Sequence, residues 1–170
     1  PVYDIRYSQK KSFEKISNKS NNYIFECFDV AIKMAEKKKI CGFINCPIDK
    51  GSLFKNKHQG ITEFLSKKAG KKYNEVMLIY NKKLSVSPIT THIPLVLVSK
   101  KLKKNLIIKK VKTINNFYRR FFKKTPHIAI LGLNPHNFSS QKNSEEKGII
   151  IKALKNLKKL KINVSGPISA

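Results

Sequence analysis

The sequence has 170 residues, of which 41% are apolar, so it can build about one domain with a packed interior. No run of about eighteen apolar residues occurs, which argues against a membrane partner. Residues 1–10 lack the apolar segment of a secretory signal, and we therefore expect a cytoplasmic protein.

The 36 Lys and Arg residues outnumber the 10 Asp and Glu residues, and the net charge of +26 raises the question of nucleic-acid binding. Phosphate and base recognition favours Arg over Lys. The sequence has only three Arg residues, which are Arg6, Arg119 and Arg120. Excess Lys with many Asn and Ile is typical of an AT-rich genome. We expect no nucleic-acid partner and keep a basic RNA-binding module as an alternative. The segment between Glu75 and Glu145 contains no acidic residue, and its positive field would suit an anionic, phosphorylated substrate.

Apolar residues at helical spacing predict five helices along the chain. They cover residues 24–35, 61–69, 95–102, 107–121 and 150–160. Ser20 or Asn21 is predicted to cap the first helix, and Gly70 to close the second. Short apolar runs predict five strands, at residues 40–46, 76–80, 84–88, 127–133 and 162–165. Strands alternating with helices indicate an α/β protein with a largely parallel sheet and flanking helices.

The three cysteines, Cys27, Cys41 and Cys46, fit no CxxC pattern. Two of them flank the first predicted strand. We predict free, buried thiols in a reducing cytoplasm, and neither a disulfide nor a metal role.

Ligands of parallel α/β sheets bind at the carboxyl ends of the strands, which here are followed by the loops 46–62, 88–94 and 133–144. His92 and His136 lie in the second and third of these loops. Neutral imidazole is a common ligand of divalent transition metals, so both are candidate ligands of one ion. A single His at a strand end is, however, more often a hydrogen-bonded structural residue. The dinucleotide fingerprint GxGxxG, the P-loop and the HExxH motif do not occur in the sequence.

Two short segments resemble the signature segments of the 4-hydroxythreonine-4-phosphate dehydrogenase family. They are Thr-Thr-His-Ile-Pro-Leu at Thr90–Leu95 and Gly-Leu-Asn-Pro-His at Gly132–His136. Four further segments resemble the family in the same order along the chain: Cys46–Lys50, Gly60–Leu65, the pair Glu145–Glu146 and the pair Gly166–Pro167. The resemblance begins at about Tyr23. We interpret residues 1–170 as a central fragment that spans parts of both subdomains of such an enzyme and lacks its N- and C-terminal parts.

The resemblance implies a fold similar to isocitrate and isopropylmalate dehydrogenases, with two subdomains around a cleft, in a homodimer. It implies NAD or NADP as the hydride acceptor, and a divalent metal such as Zn, Mg or Co. His92 and His136 match two of the three metal-binding His of the family, and the third has no counterpart here. Thr62 matches a substrate-binding Thr, although it can also act simply as a helix cap. The neighbouring substrate-binding His is Ile61 here, which cannot form a hydrogen bond. No catalytic or cofactor-binding residue is assigned.

The implied reaction is the oxidation of 4-phosphohydroxy-L-threonine to a β-keto acid, which decarboxylates to 3-amino-2-oxopropyl phosphate in pyridoxal phosphate biosynthesis. Because residue 61 differs from the family, a related dehydrogenase that acts on another alcohol, such as a cyclic dihydrodiol, remains open. We expect the 170-residue chain alone to be inactive, because it carries only two of the three metal ligands.

Overall fold

The computed structural model shows a chain that forms two compact units, Pro1–Tyr73 and Asn74–Ala170. Each unit builds a hydrophobic core of its own. The structure describes residues 2–12, 14–55, 60–70, 75–138 and 144–169.

The first unit packs helices around aromatic side chains. Its helices are α1 (Asn21–Glu36), α2 (Lys50–Phe54) and α3 (Ile61–Lys68). Phe28, Leu53, Phe54 and Phe64 form the buried core. The ring centroid of Phe64 lies 5.6 Å from that of Phe28 and 5.2 Å from that of Phe54. Because large rings bury much apolar surface and also attract one another at such distances, this cluster holds the three helices together.

The starts of the first two helices are fixed by short polar contacts. Ser20 occupies the predicted capping position of α1 but makes no side-chain bond there. The Asn21 amide instead donates to the Ser52 carbonyl at 3.0 Å, which links α1 to α2. The Asp49 carboxylate caps α2 by accepting from the Ser52 N–H at 2.6 Å. Gly70 follows α3 with a φ of 63°, as predicted for a glycine that closes a helix.

The strand predicted at residues 40–46 is absent, and that prediction is wrong. The segment has no regular secondary structure, and Ile44 is completely exposed. All three cysteines are free as predicted, but Cys41 and Cys46 are exposed and Cys27 is only half-buried. An apolar run becomes a strand only where a partner satisfies its backbone groups, and no described strand pairs with this one.

The second unit is built on two parallel strands, β1 (Ile128–Leu131) and β2 (Val164–Ile168). Its helices are α4 (Val98–Lys101), α5 (Lys104–Phe117) and α6 (Ile151–Lys159). A π-type turn, Tyr118–Phe122, extends α5, and another, Glu146–Ile150, leads into α6. The most deeply buried core side chains are Ile107, Ala153 and Leu157, which lie on α5 and α6. The apolar faces of these helices therefore form one core with the strands.

The strand pair has an irregular register at Gly166. Between Ala129 and Leu131 the pairing shifts, so that β2 carries one residue more than β1 over the same span. Gly166 has a φ of +127°, and a Cβ on it would lie 2.3 Å from the backbone oxygen of Ile130. Only glycine permits both the backbone angle and this close approach of the two strands.

The two strands predicted at residues 76–80 and 84–88 do not join the parallel sheet, and this prediction is wrong. They meet in a single antiparallel bridge, Ile79 to Val86. Both side chains are more than half exposed. Parallel strands are normally buried on both faces, and these segments lack that cover in the described part of the chain.

The remaining elements confirm the prediction of an α/β protein with a parallel sheet and flanking helices. The predicted helices correspond to α1, α3, α4 with the turn Leu95–Leu97, α5 and α6. Within the described ranges, no helix has both the length and the hydropathy needed to cross a membrane. Several helices end with a lysine in the left-handed conformation; these lysines are Lys38, Lys55, Lys123 and Lys161.

Candidate functional site

The loop that carries His136 begins where β1 ends. It runs from Gly132 into a tight, irregular turn, Pro135–Phe138. His136 and Asn137 both have positive φ angles, 55° and 62°, which are uncommon for residues other than glycine. His136 is exposed. The predicted strand end therefore does present this imidazole to solvent, on a backbone that its surroundings must hold in place.

The buried carboxylate of Glu146 holds the first part of this loop. Glu146 is 0% exposed, and its Oε1 accepts from the backbone N–H groups of Leu133 and Asn134, at 2.9 Å each. The Asn134 side-chain amide donates to Glu146 Oε2 at 3.1 Å and to Glu145 Oε2 at 3.0 Å. Burial raises the pKa of Glu146, but the hydrogen bonds from Asn134 and Leu133 outweigh it and hold the pKa below its ordinary value of 4.5.

A second contact holds the far side of the same loop. The Asn137 side-chain amide donates to the Pro167 carbonyl of β2 at 3.2 Å. Its oxygen lies directly over Gly132, where an added Cβ would approach it to 2.0 Å. Any larger residue than glycine at position 132 would therefore displace Asn137 and loosen the loop from the strand.

His92 lies in the other candidate loop of this unit. Its φ is 53°, and its side chain is exposed. Pro94, two residues later, begins the turn Leu95–Leu97 that leads into α4. The fixed φ of proline suits a helix start, so Pro94 marks the end of the loop that carries His92.

The two His loops border one shallow apolar depression of about 220 Å³. Thr90, two residues before His92, and Leu133, three residues before His136, both line it. The floor comes from buried residues of the core, among them Ile107 and Ile130. The loops that sequence patterns single out in this unit therefore lie beside the same surface feature.

Thr62 belongs to the first unit and lies in the first turn of α3, where its side chain is exposed. Gly60 occupies the capping position of α3, so no side chain caps this helix there. The carboxylate of Glu63 lies close to Gly60, at 2.8 Å from where a Cβ would be. Thr62 is thus not the capping residue itself, and its hydroxyl is presented to solvent at the start of the helix.

Ile61 packs against the aromatic core of the first unit and is half-buried. Ile61, which the resemblance places at the position of a substrate-binding His, therefore contributes to the core. Lys50 is the first residue of α2 and is exposed, like most lysines of the chain. Residues 139–143, in the predicted loop after His136, lie outside the described residues, as does His58.

Comparison with known proteins places these segments in a family. All of residues 1–170 match the sequence profile described as "Pyridoxal phosphate biosynthetic protein PdxA". The chain belongs to the PdxA family. Because the match covers the whole chain, both units and all the candidate residues lie within it.

PdxA relatives and a solved structure agree with this membership. The chain is 35% identical to 4-hydroxythreonine-4-phosphate dehydrogenase of Sulfurihydrogenibium sp., over 99% of the chain and 52% of the relative. It is 40% identical to the enzyme of that name from Aquifex aeolicus, over 81% of the chain and 44% of the relative. A crystal structure of the Klebsiella pneumoniae enzyme superposes with a TM-score of 0.81 and 26% identity, over 91% of this chain and 47% of that one. The chain thus spans about half the length of the PdxA relatives it matches.

The residues present fit a divalent metal in part. The imidazoles of His92 and His136 are exposed, and neither has a hydrogen-bond or ion-pair partner among the described residues, so their nitrogens are available as ligands. Imidazole nitrogen suits zinc and related transition ions better than magnesium, which prefers oxygen ligands. The described residues contain no group of three or more His, Cys, Asp or Glu that could hold an ion, so further ligands would have to come from outside them.

Sequence patterns alone do not reveal the role of Glu146. The pair Glu145–Glu146 resembles a segment of the PdxA family, but its position before α6 suggests only a favourable charge at a helix start. The structure shows that the Glu146 carboxylate binds the loop that carries His136. In the sequence, only the resemblance of the Glu145–Glu146 pair to the family points to a role for Glu146.

Proposed function

We propose that the protein is an NAD- or NADP-dependent, metal-dependent dehydrogenase of 4-phosphohydroxy-L-threonine. The product is a β-keto acid that decarboxylates to 3-amino-2-oxopropyl phosphate, in pyridoxal phosphate biosynthesis. The observation that carries this proposal is the position of the two signature loops. In a chain that matches the PdxA family throughout, both His loops border the same depression.

His92 and His136 would hold the divalent cation through neutral imidazole nitrogens. When bound, such a cation lowers the pKa of an alcohol and stabilises the negative charge that develops on its oxygen, while the nicotinamide accepts the hydride. The two imidazoles act in this proposal as electrostatic organisers and not as bases.

The proposed substrate contacts come from exposed polar and cationic groups. Thr62 would hydrogen-bond to the substrate through its hydroxyl. The segment between Glu75 and Glu145 supplies positive charge without a single carboxylate, which favours a phosphorylated substrate. Assembly as a homodimer and a cytoplasmic location complete the proposal, and they rest on the resemblance to the family.

The test is an activity assay of the full-length protein and of two variants of it, His92→Ala and His136→Ala. We expect each variant to lose at least about 100-fold in kcat/KM for NAD or NADP reduction, beyond the 10–100-fold typical of outer-shell substitutions. The matched control is His127→Ala, which removes an exposed imidazole at the start of β1 in the same unit. Full activity in both variants would exclude the metal role of these residues.

A cyclic dihydrodiol remains a second candidate substrate because of Ile61. Packing against the Phe core removes this side chain from substrate recognition, so one polar contact expected for the phosphorylated substrate is missing. Direct comparison of kcat/KM for 4-phosphohydroxy-L-threonine and for a cyclic dihydrodiol separates the two. A higher value for the dihydrodiol would replace the first proposal.

A further inference from the structure

Glu146 is the most completely buried charged residue described in the chain, at 0% exposure. A buried carboxylate is costly unless several donors satisfy it. Here its Oε1 accepts from two backbone N–H groups of the segment that leads to His136, those of Leu133 and Asn134, and also from the Asn134 side-chain amide. The charge is therefore stabilised by a loop that has no regular secondary structure of its own.

His136 lies between two fixed points of this loop. Asn134, two residues before it, is bound to Glu146 through both its backbone and its side chain. Asn137, one residue after it, is bound to Pro167 of β2. His136 itself has a positive φ and no side-chain partner among the described residues, so the direction of its imidazole depends on how its neighbours are held.

We propose that Glu146 is a positioning residue for His136: its carboxylate fixes the Leu133–Asn134 turn, and so the direction in which the imidazole meets a divalent cation. This inference rests on the proposed metal function of His136. It adds a residue that makes no contact with the cation but determines how well the ligand is preorganised.

The chemistry requires a carboxylate and not merely an acceptor. Both oxygens of Glu146 accept hydrogen bonds, and the Asn134 amide donates to each of them, at 3.1 and 3.3 Å. Glutamine has only one acceptor oxygen, and its amide would bring a second donor toward the Asn134 amide. Glu146→Gln should therefore keep part of the turn, whereas Glu146→Ala leaves two backbone N–H groups without their acceptor.

The experiment is a Co²⁺ titration of the purified protein, followed by visible absorbance, with activity measured separately. For Glu146→Ala we expect a dissociation constant about 10–100-fold higher and an altered absorption band, since the ligand geometry changes. Glu146→Gln should lie between this variant and the unsubstituted protein. The control is Glu145→Gln, which removes the same charge from the neighbouring half-buried residue but keeps an acceptor oxygen for the one bond that Glu145 accepts from the Asn134 side chain, so band and affinity should change less than in Glu146→Gln.

The outcomes distinguish this inference from the proposed function. Should the unsubstituted protein give no Co²⁺ band that His136→Ala abolishes, the metal assignment fails, and the positioning role fails with it. If that band is present but Glu146→Ala and Glu146→Gln leave its shape and affinity intact, only the positioning role is overturned. Should Glu146→Ala not fold, Glu146→Gln carries the same comparison, because it keeps an acceptor oxygen and the side-chain volume.

Discussion

Glu146 also makes the stability of the second unit depend on pH. Its pKa is lowered on folding from an ordinary value of 4.5, because the gain from hydrogen bonds exceeds the cost of burial. A depressed folded pKa contributes stability that is fully present above the unfolded value and is lost as the pH falls through the folded value. The carboxylate therefore stabilises the fold at neutral pH and progressively less in acid.

We predict that Glu146→Gln lowers the free energy of unfolding by about 1.5–3 kcal/mol at neutral pH, the range for hydrogen bonds to a charged group. This difference from the unsubstituted protein should shrink once the pH falls below 4.5. Denaturant unfolding at a series of pH values measures it. Glu145→Gln should cost less at neutral pH, since its carboxylate is half-buried and accepts one described bond. A difference that grows in acid would contradict this reading of Glu146.

The sequence names three candidate site residues, and their roles stay predictions. His92, His136 and Thr62 stand in short segments whose letters resemble a family, and the structure finds all three side chains exposed. The holding contacts could not be predicted, because Glu146 meets Leu133 and Asn134 from 12 or 13 positions away along the chain. Such a contact depends on how α6 packs on the sheet, and no local sequence pattern predicts that packing.

At the scale of elements, the irregular strand pair gives a sharp test. We predict that Gly166→Ala lowers the free energy of unfolding by roughly 2–4 kcal/mol, from a positive φ and a Cβ pressed against the Ile130 backbone oxygen. The matched control is Gly148→Ala, in the turn before α6, where a Cβ would meet nothing within 4 Å. That substitution should stabilise by about 0.5–1 kcal/mol. Thermal or denaturant unfolding of both variants decides, and equal effects would contradict the close approach of the strands.

Prediction succeeded for the elements whose own sequence shows their burial. The stripe of Ile107, Val111 and its neighbours predicts α5, because one face of a helix repeats every three to four residues. The short runs at 40–46, 76–80 and 84–88 look like buried strands, but an apolar run does not identify its partner. Whether such a run becomes a strand depends on a neighbour that is distant in the sequence.

At the scale of the whole molecule, the charge of +26 should oppose folding. An ion pair joins Lys68 to Asp29, but 36 basic and 10 acidic residues leave most cations without a carboxylate. Raising the ionic strength from about 0.01 M to 0.15 M shortens the screening length from about 30 Å to 8 Å.

We therefore predict that thermal unfolding midpoints rise by about 2–4 °C over this change of ionic strength, which corresponds to about 1 kcal/mol. NaCl and KCl at equal ionic strength should act alike, since screening does not depend on which monovalent cation is present. Falling midpoints in salt would show that favourable charge pairs dominate instead. A much larger rise with phosphate at matched ionic strength would indicate a specific anion site in addition to screening.

The lysines that end several helices leave room for the chain to become more stable. Lys38, Lys55, Lys123 and Lys161 adopt a left-handed backbone that costs residues with a Cβ about 1–2 kcal/mol. Glycine would avoid that cost, but the greater freedom of its unfolded chain would lower the free energy of unfolding by about 0.4–1 kcal/mol. Substitution with glycine at each position should therefore raise the free energy of unfolding by a fraction of a kilocalorie per mole. Replacing these lysines with glycine would therefore raise the stability of the helix ends without altering a core or a candidate site.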